Sequence, residues 1–577
     1  MSSTAVPVSR PVSEDVPGHE VTTFGTIARR AGGWLPVLGL TSLLTTLSTL
    51  ALPVVLGRAI DAIVTGADDS RWFALAAGLI AVSVVCDLVL AYAGTACVAD
   101  IAAWLRERIV RHVFAVGPHG ARRFDTGDLV SRVSGNAVEA AQAGPSVVTV
   151  VTAALPPAGS LALLAYLDLW LAAAFLAGLV LVAAVLRTFT MRTTAAVSSY
   201  QQIQGRIAAR LDESMAGART IAAAGTVDQE RERVLRPLTE LHTEGIRTWW
   251  VLSRSGAQAA IVGPLVLVGV LATGGLLLSA GRLTAGELFA AGQYAAIGAG
   301  LGGLTGVFGR LARARAGAGR AAEVLAVPTV GHGRRTLPAG SGRLEFVGVT
   351  VGSGGSGGSA GARGPALLDG VDLTVPGGAA VAVVGHSGAG KSVLAAVAAR
   401  LRDPDVGRVL LDGVPLADLD HDALRAAVGC AFERPVLVGA TVADAIALGR
   451  GGYDVRAAAQ ATHAHEFASR LPDGYDTPLA DTPMSGGEAQ RLGLARAWQA
   501  ERLLVLDDAT SSLDMVTEMQ ISRTLTDGAD RTRLIVTHRA STAARADLVV
   551  WLADGRVRAV GTHNELWDDP DYREIFG

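Results

Sequence analysis

The sequence predicts two domains in tandem: an all-α domain of six transmembrane helices, then an α/β domain built around a phosphate-binding P-loop. Three observations carry this reading. Hydrophobic residues make up 50% of the 577-residue chain and charged residues only 18%, with a mean hydropathy of +0.38, a balance foreign to soluble proteins of this length. Long apolar segments alternate with Arg-bearing loops up to about residue 310. In the second half an apolar run ends in Gly-x-x-x-x-Gly-Lys-Ser and leads into another apolar run.

Residues 1–24 are rich in Ser, Pro and Val without an apolar core, and read as a flexible tail rather than a signal peptide. The apolar segments Gly33–Leu56, Trp72–Ala96, Val147–Tyr166, Leu169–Leu186, Ala257–Ala280 and Ala285–Val307 follow within a membrane domain spanning 25–317. Each is near the roughly 20 residues that cross a bilayer. The sixth is the least hydrophobic, and its Gly and Ala suit close helix packing in lipid. The stretch between the second and third spans holds Arg106, Arg108, Arg111, Arg122, Arg123 and Arg132; that between the fourth and fifth holds Arg206, Arg210, Arg219, Arg231, Arg233, Arg236 and Arg247. The short connections hold Asp68, Asp69 and Asp168 instead. The positive-inside rule therefore places both termini and both long loops in the cytoplasm, on a multi-pass protein of the cytoplasmic membrane. The long loops keep apolar residues at helical spacing, as in Leu105, Ile109 and Val113, so the spans are expected to continue as helices beyond the bilayer. Asp87 falls inside the second span, where it either contacts a substrate or cation, or faces water or a paired neighbour.

The chain has a net charge of −3 and no strongly basic region, which argues against a nucleic-acid partner. Lys391 is its only lysine, and every other Lys/Arg cation is arginine. GC-rich coding, as in many bacterial genomes, favours Arg, Ala and Gly. A lysine kept against that bias marks a site that needs a compact charge on a flexible stem. Cys86 and Cys97 would stand about 16 Å apart on one helix, too far to bridge, and Cys430 is remote from both.

A linker at 318–340 leads to the second domain, 341–577. It opens with strand-like Arg343–Val351, then a Gly/Ser stretch, Gly352–Gly364, expected as a surface loop. Strand Ala380–Val384 precedes Gly385-His386-Ser387-Gly388-Ala389-Gly390-Lys391-Ser392, and helix Val393–Ala399 follows. In that context the backbone N–H groups can surround phosphates at a helix N-terminus. Lys391 can reach the β- and γ-phosphates of ATP, and the Ser392 hydroxyl can ligate Mg²⁺. Leu503–Asp507 reads as a buried strand ending in a Mg²⁺-orienting carboxylate, and Ile535–Thr537 as a strand that delivers His538 towards the γ-phosphate.

Met484-Ser485-Gly486-Gly487-Glu488, followed by Gln490-Arg491, resembles the signature motif of ATP-binding cassette (ABC) transporters. Phosphate loop, signature, acidic strand, Ser512-Leu513-Asp514 as the D-loop and His538 stand in the order of that family. Phe124–Val133 and Glu213–Gly217 with Arg219 look like the two intracellular loops of its exporters. The resemblance implies half of a dimeric transporter, with two ATP molecules held between the phosphate loop of one chain and Ser485, Gly486 and Gly487 of the other. It also implies that Arg122–Asp128 and Ala208–Gly217 dock on the ATP domains.

Three departures fall on the chain's own nucleotide site. The family's catalytic Glu is Asp508, one methylene shorter. Its Mg²⁺-sensing Gln is Glu433, which can still ligate the metal but adds negative charge. The adenine-stacking aromatic is replaced by Ser353 or a neighbour in the Gly/Ser stretch. The pattern resembles the degenerate half of a heterodimeric exporter; a homodimer tolerating Asp at reduced rate is the alternative. The expected activity is ATP-driven export of a small or amphipathic molecule, with import of a chelate such as a siderophore, or an ATP-gated channel, as competing readings.

Overall fold

A computed structural model describes residues 23–66, 70–299, 302–353, 366–526 and 531–577. Residues 1–22 of the expected tail, Asp68 and Asp69, and 354–364 of the Gly/Ser stretch lie outside the described residues. The chain divides into two compact units, one formed by residues up to His112 with Thr126–Ala326, the other by Val113–Asp125 with Val327–Gly577.

The first unit is helical. It comprises α1 (Phe24–Arg30), α2 (Leu35–Thr65), α3 (Arg71–Ala121), α4 (Thr126–Ser131), α5 (Ala137–Ala141), α6 (Ala143–Ala153), α7 (Leu155–Leu167), α8 (Leu169–Ala216), α9 (Ala218–Ala224), α10 (Val227–Leu235), α11 (Leu238–Ser279), α12 (Ala285–Ala299) and α13 (Gly302–Leu325). From Val113 onward α3 belongs to the second unit, and within that stretch the helix breaks at Gly117, where φ is +76°. The helical stretches Leu35–Thr65, Arg71–Ala121, Thr126–Leu167 and Val227–Ser279 are long and apolar enough to cross a membrane, and Leu169–Val185 is a shorter apolar one. α8 runs for 48 residues and α11 for 42, so they reach roughly 72 and 63 Å at 1.5 Å per residue, well beyond a bilayer. Residues 318–325, expected as the start of a linker, continue α13; Ala, Arg, Glu and Leu there favour helix, and no Pro stops it.

Packing in this unit depends on close approach. α8 lies along α11, and α12 lies against α2, α7 and α11. Phe175, Val266, Val270 and Tyr294 form the centre, and Tyr294 donates to the Leu50 carbonyl at 2.7 Å. A Cβ on Gly286 would stand 2.0 Å from the Gly57 carbonyl oxygen, and one on Gly298 would stand 2.3 Å from the Phe175 ring. The Gly/Ala content of the sixth apolar segment thus lets backbones touch where side chains could not fit. Asp168 caps α8 by accepting from the Trp170 N–H and pairs with Arg282 at 2.5 Å. Asp87 is exposed on α3 and accepts from Thr45 on α2 at 3.4 Å.

The second unit has two sheets. β1 (Leu344–Gly352), β2 (Ala366–Val375), β4 (Val406–Leu411) and β5 (Val414–Pro415) form an antiparallel sheet in the order β2-β1-β4-β5. β3 (Ala380–Val384), β6 (Val428–Phe432), β7 (Leu503–Asp507), β8 (Thr532–Val536), β9 (Leu548–Ala553) and β10 (Arg556–Gly561) form the other, ordered β10-β9-β3-β8-β7-β6 and parallel except at β10. All five residues of β3 are buried, as expected for a parallel strand covered on both faces. One core of Phe346, Leu373, Leu394, Leu411, Val505 and Val536 draws on both sheets. Cys86, Cys97 and Cys430 are free thiols.

Arg132 joins three separate stretches of the helical unit. It is 8% exposed, sits in a π-helical turn, and donates to Asp128 (2.8 Å), Glu323 (2.7 Å) and the Arg320 carbonyl (2.6 Å). Asp128 and Glu323 keep 41% and 62% exposure, so water can take them if the guanidinium is lost. Arg132→Ala is therefore expected to destabilise the unit by about 1–3 kcal/mol, below the loss for a fully buried pair. Thermal unfolding in detergent checks this, with Arg132→Lys recovering part of the loss.

Candidate nucleotide site

Strand register builds the site. Phe432 is level with Asp507, Asp507 with Val536, and Val383 with Val536. Four parallel strands therefore end together, and the residues that follow (Glu433, Asp508, His538 and the loop from Gly385) emerge at one edge. Ligands bind outside the carboxyl ends of strands in sheets of this kind.

Glycine is required in the loop after β3. At Gly385, with φ +153°, a Cβ would meet the Leu552 carbonyl oxygen at 2.2 Å; at Gly390, with φ +97°, it would meet that of Leu367 at 2.5 Å. The loop ends at helix α14 (Lys391–Ala398). Lys391 is 5% exposed, and its ammonium donates to the carbonyls of Gly385 (2.7 Å) and His386 (2.9 Å). It thus curls back through the loop that would hold phosphates. Burial lowers its pKa, partly offset by the charges of Asp508 and Asp507.

Ser392 donates to Asp507 at 2.9 Å, which brings together a hydroxyl and a carboxylate oxygen, the hard donors Mg²⁺ takes. Burial raises the Asp507 carboxyl, the Ser392 hydrogen bond opposes the rise, and the charges of Asp508 and Glu433 add to it. Asp508 adopts φ +49°, a left-handed conformation unusual outside Gly, Asn and Asp. Its carboxyl is also raised by burial and by the charge of Glu433, against the opposite pull of His538 and Lys391. His538 Nε2 stands 3.3 Å from Asp508 Oδ2. The Glu433 side chain is 56% exposed and lies 3.9 Å from the Arg434 guanidinium. Ser353 follows β1 as irregular chain, whereas the rest of the expected adenine side lies outside the described residues.

Ser485, Gly486 and Gly487 are built differently. Ser485 caps the helix Gly486–Ala497, its N–H and hydroxyl both donate to Glu488 at 2.8 Å, and its hydroxyl accepts from the Glu488 N–H at 3.3 Å. This is a capping box, and the Ser485 N–H holds the Glu488 carboxyl below its usual range. The signature rests on the D-loop: a Cβ on Gly487 would lie 3.1 Å from the Ser512 carbonyl oxygen. No hydrogen bond among the described residues joins it to the phosphate loop of its own chain.

Sequence reasoning quoted Gln490 but missed its work. It is 2% exposed and donates to the Glu433 carbonyl (2.6 Å) and Ser511 (3.0 Å), while its carbonyl accepts from the Ser512 N–H (2.9 Å). One amide thus joins the signature helix, the Glu433 loop and the D-loop. Arg539 adds a second tie, donating to the Ser511 carbonyl at 3.1 Å and pairing with the 6%-exposed Glu518. These contacts cross tens of positions and leave no mark in local spacing.

The residues fit a nucleotide: a glycine loop at a helix N-terminus, one buried ammonium, and a hydroxyl–carboxylate pair for a divalent ion. Comparison with known proteins agrees. Residues 35–299 match the family model "ABC transporter transmembrane region", and residues 368–511 match "ABC transporter". The chain is 44% identical over 585 residues to the ABC transporter ATP-binding protein RamA of Streptomyces coelicolor, covering 99% of this chain and 91% of that one. It is 39% identical over 246 residues to the ATP-dependent lipid A-core flippase of Chromohalobacter salexigens, covering 41% of each. Among solved structures it is similar to a bacterial Atm1-family ABC exporter with ATP bound, at a TM-score of 0.74 and 26% identity, covering 96% of this chain and 98% of that one.

A pH dependence follows from the two raised carboxyls. A carboxyl whose folded pKa is raised favours the folded state below the ordinary value near 3.9, and that contribution is lost as pH rises through the folded value. As pH rises, burial therefore weighs against both charged carboxylates. Asp508→Asn removes one charge and is expected to raise the melting temperature at pH 7.5 by roughly 1–3 °C. The gain should shrink as pH falls and the parent's carboxyl takes up its proton; differential scanning fluorimetry from pH 7.5 downward checks it.

Proposed function

Since the chain belongs to the ABC transporters, with an exporter-type membrane domain fused to an ATP-hydrolysing domain, we propose that it is the slow-site half of a heterodimer that exports a small or amphipathic molecule. The observation that carries this reading is Asp508. Its carboxylate already stands 3.3 Å from His538 and is about 1.5 Å shorter in reach than a glutamate there. A general base must come within 2.6–3.2 Å of its water, and a 1 Å misplacement can lower the rate roughly a hundredfold.

Lys391 and the loop amides bind the phosphates, Ser392, Asp507 and Glu433 hold Mg²⁺, His538 contacts the γ-phosphate, and Asp508 is a weak base. Bound Mg²⁺ supplies charge neutralisation at the phosphates. Glu433 contributes a charge where glutamine would be neutral, which strengthens the hold on a cation but leaves more negative charge beside the phosphates. Ser485, Gly486 and Gly487 serve the partner's nucleotide. In this reading the loops rich in Arg face the cytoplasm, as do both termini, and the chain resides in a bacterial cytoplasmic membrane.

The test is ATP hydrolysis by the chain alone in lipid. ATP should bind, Lys391→Ala should abolish that binding, and turnover should be near background. Asp508→Glu, combined with Glu433→Gln, is expected to raise turnover by roughly tenfold or more. Brisk Mg²⁺-dependent hydrolysis by the unmodified chain alone would sink the heterodimer reading.

A further inference from the structure

Two contacts set the antiparallel register of α2 and α3: Thr45 meets Asp87, and the Trp34 indole N–H donates to Asp100 at 3.1 Å. Trp34 stands where the apolar stretch of α2 begins. Along α3, Asp100, Trp104 and Arg108 follow at intervals of four and share one face. At 1.5 Å per residue Trp104 lies about 6 Å, and Arg108 about 12 Å, past the level of Trp34. That is the depth of lipid headgroups beside a hydrocarbon core about 30 Å thick.

At this level the short helix α1 brings a second cation to the same ring. The Arg30 guanidinium stands 5.6 Å from the centre of the Trp104 ring, and that of Arg108 stands 5.4 Å from it. α1 is fixed in place: Thr23 and Thr26 close its capping box, Ile27 is fully buried, and it packs on α6 and α13. Arg30 itself is exposed, and no ion pair among the described residues engages it.

We propose that Arg30, Trp104 and Arg108 form a binding site for the phosphate of an anionic glycerophospholipid, in the leaflet on the side where α3 runs on past the membrane. Two guanidinium groups offer planar forks matched to phosphate oxygens. The shared indole holds both near one place, which reduces the entropy lost on binding, and an amphipathic ring at the interface suits the glycerol level. A lipid source fits better than free phosphate because the site stands at the edge of an apolar surface: Leu40, Leu43, Leu44 and Leu47 of α2 are exposed just inside it and would contact acyl chains. The inference does not depend on how the nucleotide site works.

The test uses the full chain in detergent, with phosphatidylglycerol or phosphatidylcholine of identical acyl chains added, and counts retained lipids by native mass spectrometry. The parent should prefer phosphatidylglycerol by roughly tenfold, as two basic side chains near one phosphate imply. Arg30→Gln with Arg108→Gln should bring the preference below about threefold, Arg30→Gln alone should give an intermediate value, and Arg470→Gln in the ATP-binding domain should change nothing. ATP binding reports folding of each variant. Arg30→Gln changes an exposed side chain, so it keeps the test open if the double variant does not fold. An undiminished preference in Arg30→Gln and in the double variant overturns the proposal. Displacement of the lipid by 10 mM inorganic phosphate, an amount chosen to be about saturating for a free-anion site, would also overturn it and assign the site to free phosphate.

Discussion

Shared register among β3, β8, β7 and β6 is the constraint on which the nucleotide site depends. Side chains alternate faces along a strand, so a slip of one residue in β7 would turn Asp507 away and aim Leu506 or Asp508 in its place. Leu503–Leu506 prevent the slip because all four are buried, and any shift would drive apolar groups into a different packing. The same burial sets the electrostatics. It places Asp507 and Asp508 side by side at the end of a covered sheet and raises both carboxyls, while it lowers the ammonium of Lys391. Lys391 is held by two backbone carbonyls rather than by a carboxylate. A phosphate chain would offer the ammonium a stronger partner than those carbonyls.

Helices of the membrane unit are fixed by a different constraint, since lipid gives them no hydrophobic reason to associate. Contact is made where glycine removes a side chain, at Gly57 against Gly286 and at Gly298 against Phe175. Charged contacts add to this elsewhere: Asp168 pairs with Arg282 beside the turn into α8, Arg132 with Asp128 and Glu323, and Arg206 with Glu240. Asp87 accepts a long hydrogen bond from Thr45, at 3.4 Å.

Much of this was legible in the sequence because its signals are local. A phosphate loop needs glycines and a lysine within eight positions, and a span needs about twenty apolar residues. The fusion of a helical membrane domain to a P-loop domain followed from those signals. Long-range polar contacts were not legible. Gln490 reaches Glu433 across 57 positions, and Arg132 reaches Glu323 across 191; neither residue type reveals its partner. Helix α13 runs on to Leu325, into the stretch expected as linker. Within it Gly317 lies where a Cβ would meet the Asn136 carbonyl oxygen at 2.7 Å, so the glycine serves close packing and does not end the helix.

The departures from the family pattern are not physically equivalent. At the signature end nothing is lost: the Glu488 carboxylate takes the Ser485 N–H and hydroxyl within a complete capping box. Glu433 keeps its backbone tie to Gln490 and changes only the charge it presents. Asp508 is different because length is what it lacks, and its left-handed backbone, φ +49°, fixes where the short side chain starts. No rotation about its side-chain bonds restores a missing methylene. The proposed asymmetry thus concerns the reach of one carboxylate, while the glycine loop with Lys391 and the capped signature helix keep their geometry.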